Sequence, residues 1–377
     1  MNLTFTEEQE MLRKTARDFL TNKLPKTVVK ELEASKEGYS PGIWKEMAEL
    51  GWMGLVFPEK YGGAGMGFLD LAVLLEEMGR ACLPGPFFST VVLSGLTILD
   101  IGTEEQKQKY LPQIAGGKTI LTLALTEPDG QYNAASIKLK ATPDNGSYIL
   151  NGTKLFVPDA HIADHILCVA RTKEGREPEE GITLFIVDAK SSGIACTVLE
   201  TIAHDKLCEV GFDQVRVPQE NILGELDQGW GEVRKVIERA AVAKCCEVVG
   251  CLQQALEMTV EYAKERRQYD RPIGSFQVIQ HYCADMATDV EGVRLSTYQA
   301  AWKLSEGLPC SQEVAVAKAW VSQAGERVMA LAHQIHGAIG VTIEHDLQYY
   351  TRRVKAAEAS FGGPDFYREI VAKEMGL

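Results

Sequence analysis

Residues 137–157 read IKLKATPDNGSYILNGTKLFV, and this stretch decides the architecture. Its β-branched and alternating residues are those of strands, and Asp144-Asn145-Gly146 between two such runs is a strong hairpin signal. The same texture precedes it in ILTLALTE (120–127) and follows it in HILCVART (165–172) and GITLFIVDA (181–189). Strands at this spacing without intervening helices predict an antiparallel barrel or sandwich over residues 118–225.

Outward from that segment the pattern becomes helical on both sides. In TFTEEQEMLRKTARDFL, Thr6 is placed to cap a helix whose first turn is acidic, which suits its positive end. Leu12, Ala16, Phe19 and Leu20 then recur at helical spacing. IWKEMAELGWMGLVF and FLDLAVLLEEMGRACL continue the pattern, broken by the glycine-dense PEKYGGAGMG (58–67). Lacking a following Gly-Lys-Ser/Thr, that loop reads as a connector and not a phosphate cradle. After a hinge-like LGELDQGWGE, residues Ile279, Cys283, Met286, Val290 and Val293 alternate by four and three, as on a bundle seam. The expected plan is α+β and mostly α: an N-terminal helical domain (1–117), a middle antiparallel β-barrel (118–225) and a C-terminal four-helix bundle (226–377).

The chain of 377 residues is long enough for two or three buried cores, and its 45% hydrophobic and 24% charged residues are ordinary for a globular protein. A net charge of −13 argues against nucleic acid or an anionic membrane as partner. No apolar run is long enough to span a bilayer, and the acidic start MNLTFTEEQE does not suit an export signal, so a cytoplasmic location is expected. Nine cysteines without a C-x-x-C pair read as reduced, packed thiols. His333 and His336 are three apart, but nothing joins them in a ligand set, so no metal site is expected.

Three stretches could serve a cofactor. In YAKERRQYDRPIGSFQ (262–277) an arginine fork suits a diphosphate, with aromatic and amide groups beside it for an adenosine; a solvated basic helix end has the same composition. QIHGAIG (334–340) offers small residues for close backbone approach, to a ligand or to another helix. LALTEP (123–128) ends a strand in a hydroxyl and neighbouring N–H groups, or is simply a strand entering a turn.

Together these stretches resemble the acyl-CoA dehydrogenase family. TEEQ…LR, PEKYGGAG, EEMGR, TEP, NGTKLFV, ERRQYDRPI-x-x-FQ and QIHGAIGVTIEHDL fall in the family's order across essentially the whole chain. The resemblance implies helical, β-barrel and four-helix-bundle domains, assembled as a dimer of dimers with FAD at a subunit interface. It implies that Leu125 and Thr126 contact the flavin's pyrimidine edge and that Phe156 replaces a tryptophan covering the ring. Arg266, Gln268, Tyr269 and Gln277 would hold the diphosphate and adenosine, and Gln334, Ile335, Gly337 and Ala338 would reach the same half. In the family these last two groups serve the FAD whose ring lies in a neighbouring chain. The implied reaction is α,β-dehydrogenation of an acyl-CoA thioester. A carboxylate takes the α-proton and the β-hydrogen leaves as hydride to flavin N5, with an electron-transfer flavoprotein as acceptor.

The chain departs from the family where the chemistry occurs. In EASFGGPD (358–365) Phe361 occupies the position of the usual glutamate base, so the catalytic residue is unknown from sequence. Relatives that carry the base on the first bundle helix would place it at Ala240, next to Ala241. A two-residue slip to Glu238-Arg239 would rotate every later side chain by roughly 200°. Glu247 and Glu358 are the remaining, weak candidates. Tyr132 and Pro158 replace small or hydroxyl-bearing residues around the ring, and Asp270 replaces a glycine. Three readings follow: a dehydrogenase with a relocated base, a non-catalytic partner in a heterotetramer that completes a sister chain's FAD site, or a flavoenzyme needing no such base. A homotetramer goes with the first.

Overall fold

The computed structural model describes residues 4–377. In chain order its helices are α1 (Glu7–Lys23), α2 (Lys26–Ala34), α3 (Pro41–Glu49), α4 (Phe68–Ala81), α5 (Leu96–Ile101), α6 (Glu104–Ala115), α7 (Trp230–Glu265), α8 (Gln277–Ser305), α9 (Ser311–His336), α10 (Leu347–Ala359) and α11 (Pro364–Glu374). The strands are β1 (Leu121–Ala124), β2 (Lys140–Asp144), β3 (Ser147–Pro158), β4 (His165–Arg171), β5 (Ile182–Asp188), β6 (Ile194–Val198), β7 (Leu207–Pro218) and β8 (Ile222–Leu223), with a ribbon of β9 (Arg267–Gln268) and β10 (Arg271–Pro272). The order is helices, then sheet, then helices, as the sequence patterns predict. Among the described residues no helix is long and apolar enough to cross a membrane.

Two compact units are formed. One contains residues 1–30, 67–83 and 241–377, the other residues 31–66 and 84–240. Both therefore draw on the helical N-terminal segment.

In the first unit, α1 begins at a capping box in which Thr6 and Gln9 satisfy each other's backbone N–H. It packs on α4, whose Glu76 and Glu77 are almost fully buried. Arg17 Nη2 lies 2.6 Å from Glu77. Glu76 accepts from the Tyr298 hydroxyl at 2.7 Å and pairs with Arg294, so α1, α4 and α8 share one internal charge network. Met286, Val290 and Val293 of the expected seam are buried on α8.

Helices α4 and α7 cross at glycines. A Cβ on Gly250 would lie 1.9 Å from the Glu76 carbonyl oxygen, and one on Gly79 would lie 1.9 Å from that of Glu247. The backbones therefore touch, and Gly250→Ala must push the helices apart. Overpacking of this kind costs about 1–3 kcal/mol. The expected result is a urea midpoint lowered accordingly, with no change in slope.

The second unit is built on an eight-stranded sheet in the order β6-β7-β3-β2-β4-β5-β8, with β1 alongside β4. The hairpin at Asp144–Ser147 forms as expected, with Asn145 and Gly146 at φ 46° and 76°. The antiparallel expectation holds for most pairings, but β1–β4 and β2–β4 are parallel. Parallel neighbours need long connections, and local patterning carries no signal for them. Leu150, Cys168, Phe185 and Val210 lie in the packed interior of the sheet. All nine cysteines are free, and seven are buried.

Candidate functional site

The end of β1 is held by an internal ion pair. Leu125 and Thr126 follow the strand and are buried. Thr126 accepts the Leu155 N–H at 2.9 Å, which fixes the strand end beside β3. Next in sequence, Glu127 accepts the backbone N–H groups of Lys138 and Leu139, each at 3.0 Å. Lys154, with 0% of its surface exposed, donates to Glu127 at 2.7 Å and to the Leu125 carbonyl at 3.0 Å. Sequence reasoning missed this pair. Its signal was a lysine at the centre of the strand NGTKLFV together with a glutamate closing LALTE, and nothing local links the two.

Phe156 stands where the β3–β7 register shifts between Lys154 and Val157. Such irregularities re-aim a side chain and are common beside functional sites. Its φ is 55° and 49% of its surface is exposed. The segment behind it is pinned: Thr122 donates to the Pro158 carbonyl at 2.5 Å, and Ser89 donates to the Asp159 carboxylate at 2.6 Å. Ser89 belongs to a π-helix, Phe88–Gly95, that was not visible in the helical pattern of the N-terminal segment. Thr90 of that helix both accepts the Leu121 N–H and donates to the Leu121 carbonyl, each at 3.2 Å. Wide turns of this type are rare and occur often at functional sites.

On the helical unit, Arg266 and Gln268 lie at the β9–β10 ribbon and are exposed. Tyr269 and Asp270 form its two-residue turn at φ 51° and 61°, the signature of a type I′ hairpin. That explains why glycine suits position 270. Tyr269 is 88% exposed. The Arg271 guanidinium lies 4.1 Å from the centre of the Phe276 ring, and Gln277 opens α8 immediately after it. The second expected stretch closes α9. His336 at the end of α9 stacks on Tyr262 of α7 at 4.5 Å and meets the His345 ring edge at 4.8 Å. Burial pushes the His333 and His336 imidazoles below their usual range. Gln334, Gly337 and Ala338 are exposed, whereas Ile335 is buried and can offer only backbone. Tyr262, one helical turn before Arg266, thus stacks on His336 within the 334–338 stretch, a contact the sequence did not reveal. Among the described residues there is no cluster of side chains able to hold a metal.

At the turn between α10 and α11, Phe361 adopts φ 58° and its carbonyl accepts the Tyr367 hydroxyl at 2.6 Å. The two carboxylates weighed as alternative bases are both engaged on their own helices. Glu247 pairs with Lys244 at 2.5 Å, and Glu358 pairs with Lys355 at 2.9 Å. Ala240 and Ala241 are completely buried.

Three family models match this chain. The model described as acyl-CoA dehydrogenase, N-terminal domain covers residues 6–118; the middle-domain model covers 122–215, and the C-terminal-domain model covers 227–376. A 3-(aryl)acrylate reductase of Clostridium sporogenes is 32% identical over 98% of this chain and 99% of its own. The butyryl-CoA dehydrogenase structure from Megasphaera elsdenii superimposes with a TM-score of 0.93 at 29% identity, covering 100% of both chains. A chain of the ChsE4–ChsE5 complex from Mycobacterium tuberculosis gives 0.91 at 28% identity, covering 100% of this chain and 99% of that one.

Proposed function

We propose a function from the premise that this chain belongs to the acyl-CoA dehydrogenase family: FAD-dependent α,β-dehydrogenation of an acyl-CoA thioester. The observation that carries the reading is that Arg266, Gln268, Tyr269, Gln334, Gly337 and Ala338 are all exposed, on two stretches whose neighbouring residues Tyr262 and His336 stack on each other. A guanidinium beside amide and aromatic groups fits a dinucleotide's diphosphate and adenosine. The type I′ turn sets this ribbon in advance, so little order has to be acquired on binding.

On the sheet unit, Leu125 and Thr126 would meet the pyrimidine edge, and Phe156 would lie over the ring. FAD, when bound, supplies a hydride acceptor for the β-hydrogen. The residues of this chain do the rest of the positioning. Lys154 and Glu127 fix the end of β1, Thr122 fixes the Pro158 backbone, and Phe156 presents an apolar surface that excludes water. An electron-transfer flavoprotein is the proposed electron acceptor, and a tetramer the proposed assembly.

One observation favours a second reading, in which this chain is the partner subunit of a heteromeric dehydrogenase. The family's base position holds Phe361, which cannot take a proton, while Glu247 and Glu358 are tied to lysines. The adenosine-side groups are retained, so the chain can complete the FAD site of a sister that carries the base. The match to a chain of the two-component ChsE4–ChsE5 complex supports this.

Purification from the native host, followed by a flavin spectrum and intact mass, separates the readings. A self-sufficient enzyme is expected to be yellow alone, with one FAD per chain, and to bleach with an acyl-CoA. A partner subunit is expected to be colourless alone and yellow only with a second, homologous chain. A preparation without flavin in either state, with all natural companions present, would sink both.

A further inference from the structure

The ammonium of Lys318 on α9 is buried, with 1% of the residue exposed, and each of its three protons has an acceptor. Nζ donates to the carbonyls of Ala357 at 2.9 Å, Glu358 at 3.0 Å and Gly362 at 3.0 Å. The first two belong to the last turn of α10, whose final carbonyls have no partner within the helix. The third lies beyond Phe361. One cation thus ties the end of α10 to the far side of the Phe361 turn. A lysine is suited to this because its three donors point in three directions, whereas an arginine presents a planar fork.

We infer that Lys318 is a positioning residue: its ammonium holds the α10–α11 turn in the one shape that presents Phe361. The claim that this turn faces an acyl-CoA rests on the function proposed above; the grip itself does not. Phe361 needs such support, because its φ of 58° lies in a region that residues with side chains seldom occupy. The Tyr367 hydroxyl, donating to the Phe361 carbonyl at 2.6 Å, is a second tie on the same turn.

The groups facing Lys318 set the proton affinity of its ammonium. From α7 come Lys244 and Cys245, from α10 Glu358, and from α11 the Tyr367 ring, its centre 5.8 Å from Nζ. A cavity of about 10 Å³, the size of one water, adjoins them and is lined by Lys244, Lys318, Ser322 and Glu358. Burial lowers the Lys318 pKa from 10.5 to about 8, with the Glu358 carboxylate opposing the shift and Lys244 adding to it. Burial also pushes the Cys245 thiol up to about 12, so it remains neutral while Lys318 titrates. A neutral amine keeps only two protons to donate, so above pH 8 at least one of the three carbonyls loses its donor.

The sign of the linkage makes this testable. The folded state gives up the Lys318 proton near pH 8, whereas the unfolded chain keeps it to about 10.5. Between those values the unfolded state binds more protons, so this group makes global stability rise with pH. Opening of the turn returns the ammonium to water, so it obeys the same linkage and is also expected to become harder over this range. A lysine that the turn did not enclose would leave local protection flat with pH.

The experiment is amide hydrogen exchange on the full chain, with its natural companions, followed by mass spectrometry of peptides covering 356–367. After correction for intrinsic rates, wild-type protection there is expected to rise about tenfold or more between about pH 7 and pH 9.5. Peptides from the middle of α9 should hold theirs. Lys318→Met is expected to show the lower protection at both pH values, with no pH dependence. Flat wild-type protection across this range, or wild-type protection retained in Lys318→Met, would overturn the proposal. If the variant does not fold, the wild-type titration decides alone. Acyl-CoA affinity is a separate arm. If the wild type binds, Lys318→Met should weaken binding about tenfold at pH 7 with flavin content unchanged. If the wild type binds none, the functional reading fails while the exchange result still judges the grip.

Discussion

Lys154→Met is expected to lower stability by about 3–5 kcal/mol, the range for breaking a buried ion pair by removing one partner. The methionine fills most of the lysine's volume, so the loss is electrostatic and not a cavity effect. Glu127 would keep its N–H donors from Lys138 and Leu139 but lose its counter-charge in a place almost sealed from water. The Leu125 carbonyl would also lose its donor. The contrast with the double variant is decisive. Lys154→Met with Glu127→Gln leaves a neutral amide that still accepts those N–H groups, and it should recover much of the loss, since removing both charges of a buried pair is often near neutral. Urea midpoints of the wild type, both single variants and the double variant give the coupling directly. A loss under about 1 kcal/mol in Lys154→Met would mean that water reaches the pair. Because Leu125 and Thr126 are the groups proposed to meet the flavin, flavin retained per chain should fall in the single variant and recover in the double.

What could be read from sequence was what short-range geometry controls. Thr6 and the turn at residues 144–146 each act within a few residues, so both element boundaries were visible in the sequence itself. The fold class followed from the switch between helical and strand periodicity. What stayed hidden joins distant parts of the chain. Glu127 meets Lys154, Tyr262 stacks on His336, and Lys318 reaches Gly362. In each case one residue alone looks like an ordinary solvent or packing position. The parallel pairing of β1 with β4 and the π-helix at Phe88–Gly95 were hidden for the same reason: tertiary packing decides them, not local propensity. The departures at the base position ran the other way. Phe361 was conspicuous in sequence, and the structure adds that its backbone is already held from two sides.

That held backbone leads to the prediction with the largest effect on chemistry. Phe361→Glu is expected to create a proton acceptor and raise the rate at which an acyl-CoA bleaches flavin in this chain by about 10²–10⁴, the usual contribution of a positioned general base. The substitution should be tolerated. Glutamate at φ 58° is no more strained than phenylalanine there, and the ties from Lys318 and Tyr367 are to main-chain carbonyls that any side chain leaves in place. Phe361→Gln is the control, since it has the length and polarity of glutamate without its basicity. Both variants are loaded with excess FAD and mixed with acyl-CoAs of increasing chain length, and flavin absorbance is followed through the first turnover. A large gain in Phe361→Glu over both wild type and Phe361→Gln would show that the site is intact apart from its base, as the partner-subunit reading requires. Equal rates in the two variants would show that more than the base has been lost, with Pro158 and Tyr132 the next positions to restore. A wild type that already bleaches rapidly would place a working base elsewhere, and Glu247→Gln and Glu358→Gln would then show which carboxylate carries it.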